Sequence, residues 1–265
     1  MSQTSGGSPG VTAVIAAHDE SANIEACIAS VEWTTEVIVV ENDSTDDTVD
    51  RARAAGATVI SPPFTTIGAA RNHAIARAKT PWIFVVDADE RCSPELAAEI
   101  QQITRNTDRQ AFRVPRRNFF LGREIRHGGW GSDRPIRLFR RDLRYSADLV
   151  HEHVDVPAGA QTGDLTAALT HYTYTSLDQY FEKLDRYSKW WAQQNYAKGR
   201  RVGASVVLFR PPARFFRMYA LKGGFRDGAR GIVLASLAAA SVMAKYARLW
   251  ELSVRGESGS YEHTD

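Results

Sequence analysis

The chain of 265 residues is poor in cysteine, with two, Cys27 and Cys92. Neither has a metal-ligand neighbour in the sequence, so a disulfide framework and a zinc-binding module are both excluded. Two free, buried thiols in a reducing cytosol are expected. Net charge is also scarce. A formal +2 argues against a nucleic-acid partner for the chain as a whole. No apolar run reaches the ~18 residues that span a bilayer. The stretch from Gly231 to Ala244 is uncharged for only 14 residues. Residues 1–10 are rich in Ser and Gly and lack the apolar segment of a signal peptide, so a disordered N-terminus is expected. No internal repeat is visible.

What is present is ordinary globular material, 43% apolar and 24% charged, enough for one large domain or a domain with an appendage. Its charge is uneven. From Ser176 to Arg255 there are fifteen Lys and Arg against five Asp and Glu, about +10, which leaves the remainder acidic by about 8. An acidic part and a basic part point to two different partners.

The organising stretch runs from Pro81 to Glu90. Trp82 to Val86 are apolar and rich in branched and aromatic residues, too short for a typical helix, and they run into Asp87, Asp89 and Glu90. This pattern predicts a buried strand of a sheet covered on both faces. Its acids fall at the carboxyl end, where open α/β sheets bind ligands. Two aspartates one residue apart suit a hard cation such as Mg²⁺ or Mn²⁺, which takes oxygen ligands and keeps places for substrate phosphates. For an isolated Asp-x-Asp, a solvated acidic turn is the alternative.

The flanking sequence supplies context. Val11 to Ala17 is a short apolar run that ends in His18-Asp19-Glu20, and Ser21 is placed to cap a helix with Ile24, Cys27, Ile28 and Val31 on its apolar face. Val37 to Val40 ends in Glu41-Asn42-Asp43, and Ser44 with Asp47 has the spacing of a capping box. A third strand is predicted at Thr58 to Ile60, and an Ala-rich helix over Gly68 to Lys79. Ser93-Pro94-Glu95 is a strong helix start. Alternating strands and helices predict a parallel, doubly wound sheet. Acids recur after three of its strands, and such ends converge on one crevice.

From Ala111 to Arg144 the pattern changes to half-buried strands, Phe112 to Val114 and Ile136 to Phe139, with glycines marking turns. Val150-His151-Glu152-His153-Val154 follows, with both histidines on one face if it is a strand. Metal ligation and hydrogen-bonded surface residues both remain open for that pair. Residues 177–195 form an amphipathic helix, with Leu177, Tyr180, Phe181, Leu184, Tyr187 and Trp191 on one stripe. Residues 206–250 interleave bulky apolar side chains with Arg and Lys, as interfacial membrane helices do; a hydrophobic helical hairpin docked on its own domain is the alternative.

As a set, strand one with HDE, strand two with ENDSTDDT, then GAARN and VVDADE resemble the inverting family 2 glycosyltransferases of GT-A fold, in order and spacing, from about Val11 to Phe139. HGGWGSDRPIRLFRR, VHEHV and FRDGARG resemble more narrowly the lipopolysaccharide-core β-glucosyltransferase subgroup. Gly131-Ser132 departs from that pattern, where a Tyr-Pro pair is expected before the aspartate, a change that bears on acceptor contacts. The resemblance implies an α/β fold with a mostly parallel nucleotide-binding sheet flanked by helices. A GT-A domain is expected over 11–170, a membrane-associating helical region over 171–255 and a disordered tail over 256–265.

The resemblance also implies site roles. Ala17, Glu20 and Asp43 would hold the base and ribose of a nucleotide-sugar donor, a UDP-hexose favoured. Arg71 would face the diphosphate or order its loop, and Arg137 would bind phosphate or serve its strand. Asp87 would approach the ribose or the metal, Asp89 would bind a divalent Mn or Mg ion, and His151 would complete the metal site. Asp133 is the first choice for the base that takes the acceptor proton, and Glu152 the second. The acceptor would be a lipid-linked or lipopolysaccharide-core glycan at the cytoplasmic leaflet of the membrane. Two rivals stand beside this reading. A sugar-nucleotide nucleotidyltransferase would want a Gly-rich basic loop where His18-Asp19-Glu20 stands. A lipid-binding scaffold with an inactive site would be expected to have lost Asp43, Asp87, Asp89 or Asp133.

Overall fold

The computed structural model describes residues 9–61, 66–146 and 153–258. In chain order the elements are β1 (Val11–Ala17), α1 (Ile24–Ser30), β2 (Glu36–Glu41), α2 (Thr48–Ala54), β3 (Thr58–Ile60) and α3 (Ile67–Arg77). Then come β4 (Trp82–Asp87), β5 (Glu90–Cys92), α4 (Pro94–Ile103), β6 (Ala111–Arg113), β7 (Arg116–Phe120), β8 (Arg123–Ile125) and β9 (Ile136–Arg140). β10 (Thr162–Asp164), β11 (Leu169–Tyr174), α5 (Leu177–Ala197), α6 (Ala204–Phe216) and α7 (Ala229–Ser258) complete the chain. These form two compact units, Met1–Arg117 with Ser132–His171, and Asn118–Gly131 with Tyr172–Asp265.

The first unit is built on a seven-stranded sheet of order β10-β6-β9-β4-β1-β2-β3. β4, β1, β2 and β3 are parallel, while β9 runs antiparallel to both β4 and β6. Strand alternation sends the side chains of β4 to opposite faces. Trp82, Phe84 and Val86 join α1, α2 and α4 in one core cluster, and Ile83 and Val85 join α3 in the other. The expected α/β fold with a mostly parallel sheet covered on both faces is therefore observed. Continuous apolar character along β4 follows from that double coverage.

Local starts and stops differ in places from expectation. Ser93 caps α4 as predicted, its Oγ accepting from Leu96 N–H at 3.2 Å. Ser21 does not cap α1: the helix starts three residues later, and the Ser21 N–H donates to Asp46 Oδ2 at 3.1 Å. Nor do Ser44 and Asp47 form a capping box. Asp46 does that work, taking the Thr48 N–H at 3.0 Å. The loops after β1 and β2 bind each other, and this outcompetes the local caps. β5, β7, β8, β10 and β11 were not legible in the sequence. Both cysteines are buried free thiols, and burial pushes Cys92 up to about 12.

The second unit is mostly helical. Its core gathers Phe120, Ile125, Met218, Leu234 and Ala235, with Phe215, Tyr219 and Trp130 packed against them. α7 packs along both α5 and α6, and Tyr180 Oη donates to the Leu237 carbonyl at 2.7 Å. α6 runs through Pro211 and Pro212, and a π-helical turn at Arg217–Leu221 follows it. The helix α7 also revises the spanning estimate. Counting only uncharged residues stops at Ala244, but the helix continues, and Ala229–Gly256 is long and apolar enough to cross a membrane by length and composition. Only 22% of its most apolar window is buried.

Gly231 shows how close this packing is. A Cβ there would lie 1.8 Å from the Gly224 carbonyl oxygen. Helix propensity alone makes Gly→Ala favourable by about 1 kcal/mol. The backbone contact reverses the sign, and Gly231→Ala is expected to destabilise the protein by about 1–3 kcal/mol, the usual cost of overpacking. Urea denaturation measures this, and a stabilised variant would refute the contact.

Candidate active site

At the end of β4 the chain turns at once into β5, so Asp87, Asp89 and Glu90 are held by one tight corner. Glu90 folds back, and its Oε2 accepts the Asp87 N–H at 2.9 Å. Glu90 is fully buried. Three arginines from three other elements meet these acids. Arg71 of α3 donates to Asp87 Oδ1 at 2.5 Å. Arg137 of β9 donates to Asp87 Oδ2, and to Glu90 Oε1 at 3.0 Å. Arg116 of β7 donates to Asp87 Oδ2 at 3.3 Å, and its Nε lies 2.7 Å from Glu90 Oε1, without the alignment of a hydrogen bond.

The same Arg116 reaches Asp133. Its Nη1 donates to Asp133 Oδ2 at 3.0 Å, and its own N–H donates to the Asp133 carbonyl at 3.1 Å. Three guanidinium groups thus face three carboxylates, and the charges cancel. Burial by itself would raise the Asp87 carboxyl, but Arg137, Arg71 and Arg116 outweigh it and hold it well below the usual carboxylate range. Burial opposes the Arg137 charge as well, and Asp87 and Glu90 overcome that and raise it further. Arg71 is steadied from behind by the Tyr145 ring, 5.1 Å from its guanidinium carbon. Asn72 exchanges two hydrogen bonds with the Tyr145 backbone, at 2.8 and 2.9 Å.

Asp89 stands apart from the arginines. Its Oδ2 is 3.5 Å from His171 Nε2, on β11. The antiparallel register puts His171 opposite Glu90, which brings the imidazole to the corner. An aspartate oxygen beside a histidine nitrogen is a donor set that suits a divalent cation. Among the described residues no three His, Cys, Asp or Glu side chains gather as a complete metal cage. Substrate oxygens would therefore have to complete any coordination there.

The predicted donor residues lie on the two loops that follow β1 and β2. Ala17 pairs in register with Glu41. The Glu20 N–H donates to Thr48 Oγ1 at 2.8 Å, and Glu20 Oε2 accepts from Asn23 at 2.7 Å. Asp19 accepts the Thr45 N–H at 2.7 Å, and His18 Nδ1 lies 2.6 Å from the Asn42 carbonyl. Asp19 and Asp43 both have left-handed backbone, φ 52° and 53°, a conformation that aspartate tolerates better than most residues. Asp43 is exposed. His151 and Glu152 lie outside the described residues, so the structure brings together Asp87, Asp89, Asp133, Arg71 and Arg137 among the predicted residues. Sequence reasoning missed Glu90, Arg116 and His171. Only the third acid in Asp-Ala-Asp-Glu signalled the first, and nothing local signalled the other two.

The model of the family described as glycosyl transferase family 2 matches residues 12–161, more than half of the chain. The chain belongs to that family. The first unit carries its GT-A fold, and the chain is by family a glycosyltransferase. Among its relatives, the lipopolysaccharide core biosynthesis glycosyltransferase LpsC of Rhizobium meliloti is 29% identical over 252 residues, 89% of this chain and 93% of the relative. A glycosyltransferase of Rickettsia prowazekii is 28% identical over 260 residues, 94% of this chain and 89% of the relative. Among solved structures, glucosyl-3-phosphoglycerate synthase of Mycobacterium tuberculosis, in complex with Mn²⁺, UDP and phosphoglyceric acid, matches with a TM-score of 0.45 and 19% identity, over 64% of this chain and 73% of that one.

The buried charges give a stability prediction. Glu90→Gln removes the charge that faces Arg116 and Arg137 and leaves guanidinium in the interior uncompensated. Breaking a buried ion pair from one side costs about 3–5 kcal/mol. Chemical denaturation of Glu90→Gln is expected to show a loss of that size, and a loss under 1 kcal/mol would mean that the network is dispensable.

Proposed function

We propose that this glycosyltransferase moves a hexose, glucose favoured, from a nucleotide-diphosphate sugar to a hydroxyl of a lipid-linked or lipopolysaccharide-core acceptor, with inversion. The observation that carries the reading is the corner after β4. One carboxylate, Asp87, is held ionised by arginines. A second, Asp89, is left to a cation, and a third, Asp133, is tied to the first through Arg116. The relation to LpsC supports a lipopolysaccharide-core acceptor, and the resemblance of the motifs supports a UDP-hexose donor.

In this reading Ala17, Glu20 and Asp43 receive the nucleoside on the interlocked loops. Asp87, ionised and fixed in orientation, accepts hydrogen bonds from the donor ribose. Arg71 and Arg137 act through Asp87, because their guanidinium groups are engaged by it. Asp89, with His171 beside it, would hold the divalent Mn or Mg ion, which when bound neutralises charge on the departing nucleoside diphosphate. His171 is a further candidate beside His151, the ligand that the sequence reading named. Asp133 takes the proton from the attacking acceptor hydroxyl, on the sugar face opposite the leaving group. Arg116 limits where that carboxylate can point. Glu152 remains the second candidate for this role.

The acceptor places the enzyme at the cytoplasmic face of the membrane without a requirement to cross it. Phe209, Phe216 and Leu221 are exposed, as the interfacial reading wants, and Arg214 and Arg217 are exposed beside them. Phe215 and Tyr219 instead pack on the core of their unit, Arg210 is bonded to Tyr246, and Arg230 reaches the Leu121 carbonyl. The membrane-facing set is therefore smaller than the composition implied.

The test is a donor screen by nucleoside diphosphate release with a lipid acceptor. Asp133→Asn keeps the shape and removes proton affinity. Turnover is expected to fall by about 10²–10⁴, the usual worth of general-base catalysis, with donor binding nearly intact. If Glu152→Gln gives that pattern and Asp133→Asn does not, Glu152 is the base. Asp89→Ala is expected to abolish transfer with Mn or Mg supplied and the fold retained. Full activity of that variant, or of the wild type in excess chelator, would sink the metal-assisted mechanism.

A further inference from the structure

The second unit carries a group of side chains that the transfer chemistry does not use. Asp227, 9% exposed, grips the loop that begins at Arg126. Its Oδ2 accepts the His127 N–H at 2.9 Å, and its Oδ1 accepts the Arg126 N–H at 3.4 Å and lies 3.0 Å from His127 Nδ1. An ionised carboxylate only accepts hydrogen bonds, so Nδ1 carries the proton and Nε2 presents a lone pair, an acceptor. The imidazole is a third exposed, at 33%.

Two cations flank the loop that carries this ring. The Gly128 N–H donates to the Lys222 carbonyl at 2.9 Å, which sets Lys222 against the loop. Lys222 Nζ lies 2.8 Å from where a Cβ would sit at Gly129. Arg226 Nε and His127 Cδ2 lie 3.9 and 3.8 Å from where a Cβ would sit at Gly223. Both glycines have positive φ, 92° and 69°, a conformation that ordinary side chains rarely adopt. Lys222 and Arg226 are exposed and alternate with two exposed apolar residues, Leu221 at 71% and Phe225 at 52%.

We infer that this patch is a binding site for a phosphomonoester carried by a membrane lipid. Lys222 and Arg226 donate to phosphate oxygens, and His127 Nε2 accepts from the P–O–H that a phosphomonoester carries when singly protonated and a phosphodiester ion lacks. A phosphomonoester has three terminal oxygens to meet them, whereas a phosphodiester has two. Charge-assisted bonds of this kind are short and strong. Leu221 and Phe225 commit the ligand to a bilayer rather than to solution, because a soluble phosphate would leave them in water. The inference rests on the reading that this unit faces the membrane, and it adds a selective headgroup site to general attraction.

Co-sedimentation of the full chain with vesicles tests it. Three vesicles are compared: phosphatidylcholine alone, and phosphatidylcholine with either phosphatidic acid or phosphatidylserine, the last two matched in surface potential. Wild type is expected to prefer phosphatidic acid by about tenfold or more, the worth of a hydrogen bond to a charged group. His127→Gln, and Lys222→Ala with Arg226→Ala, should bring that ratio to about one. Arg214→Ala should weaken both anionic vesicles alike, by about fivefold. Equal wild-type binding to the two anionic vesicles overturns the site and leaves the membrane reading standing. Binding to neither overturns both. A preference that survives in the Lys222/Arg226 double variant overturns the assignment of residues. Displacement from phosphatidic acid vesicles by millimolar glycerol 3-phosphate, but not by equal ionic strength of chloride, overturns the lipid as the source.

Discussion

The first unit depends on one compensated cluster of charge. Asp87 and Glu90 are carried inward by the end of a fully apolar strand, and they are tolerable there only because Arg71, Arg116 and Arg137 arrive from three other elements. Ionised groups taken out of water lose several kcal/mol of solvation each, so pairing them does not make the cluster a large net source of stability. Its value is in geometry. Each guanidinium fixes one more element relative to β4, and a misplaced α3, β7 or β9 would leave a buried charge without a partner. The requirement for neutrality therefore acts as a check on the fold at the place where the chemistry is proposed.

The cluster also divides labour among acids that look alike in the sequence. Asp87 has both oxygens engaged and is held ionised. Asp89, two residues on, faces His171 instead, because the corner between β4 and β5 turns it away from the arginines. Asp133 comes from a distant loop and is joined through a single side chain, Arg116. The neighbouring loops after β1 and β2 are fixed by the same economy of means. Each supplies a carboxylate that bonds the backbone of the other, so the proposed nucleoside site is built from loops without secondary structure of their own.

The second unit follows a different constraint. Its helices bury small residues and backbone against one another, with Gly231 on the Gly224 carbonyl and Gly128 on Met218. Bulky side chains are turned outward instead, among them Leu208, Phe209, Phe216 and Leu221. In water that arrangement leaves apolar area exposed, and exposed patches of this kind mark surfaces that meet another phase or partner. The basic residues interleaved with them are the ones that the proposed membrane contact would use.

Periodicity and strand-end chemistry in the sequence determined the alternating strands and helices of residues 11–103, the burial of β4, the cap of α4 and the candidate acids Asp87 and Asp89, while Asp133 came from the family resemblance. These rest on contacts between near neighbours, and their spacing is written locally. Only the tertiary structure decided the partners. Arg116, 29 residues beyond Asp87, and His171 on β11 reach the site through strand pairing, and no local pattern of residues encodes it. The same holds for the expected cap Ser44, whose Oγ accepts from Asp19 N–H of the opposite loop instead. It holds too for α6, which continues through Pro211-Pro212 although propensity opposes it. Local propensities are worth about 1 kcal/mol or less per residue, apart from proline's ~3, and packing or a compensated charge outweighs them wherever the chain returns on itself.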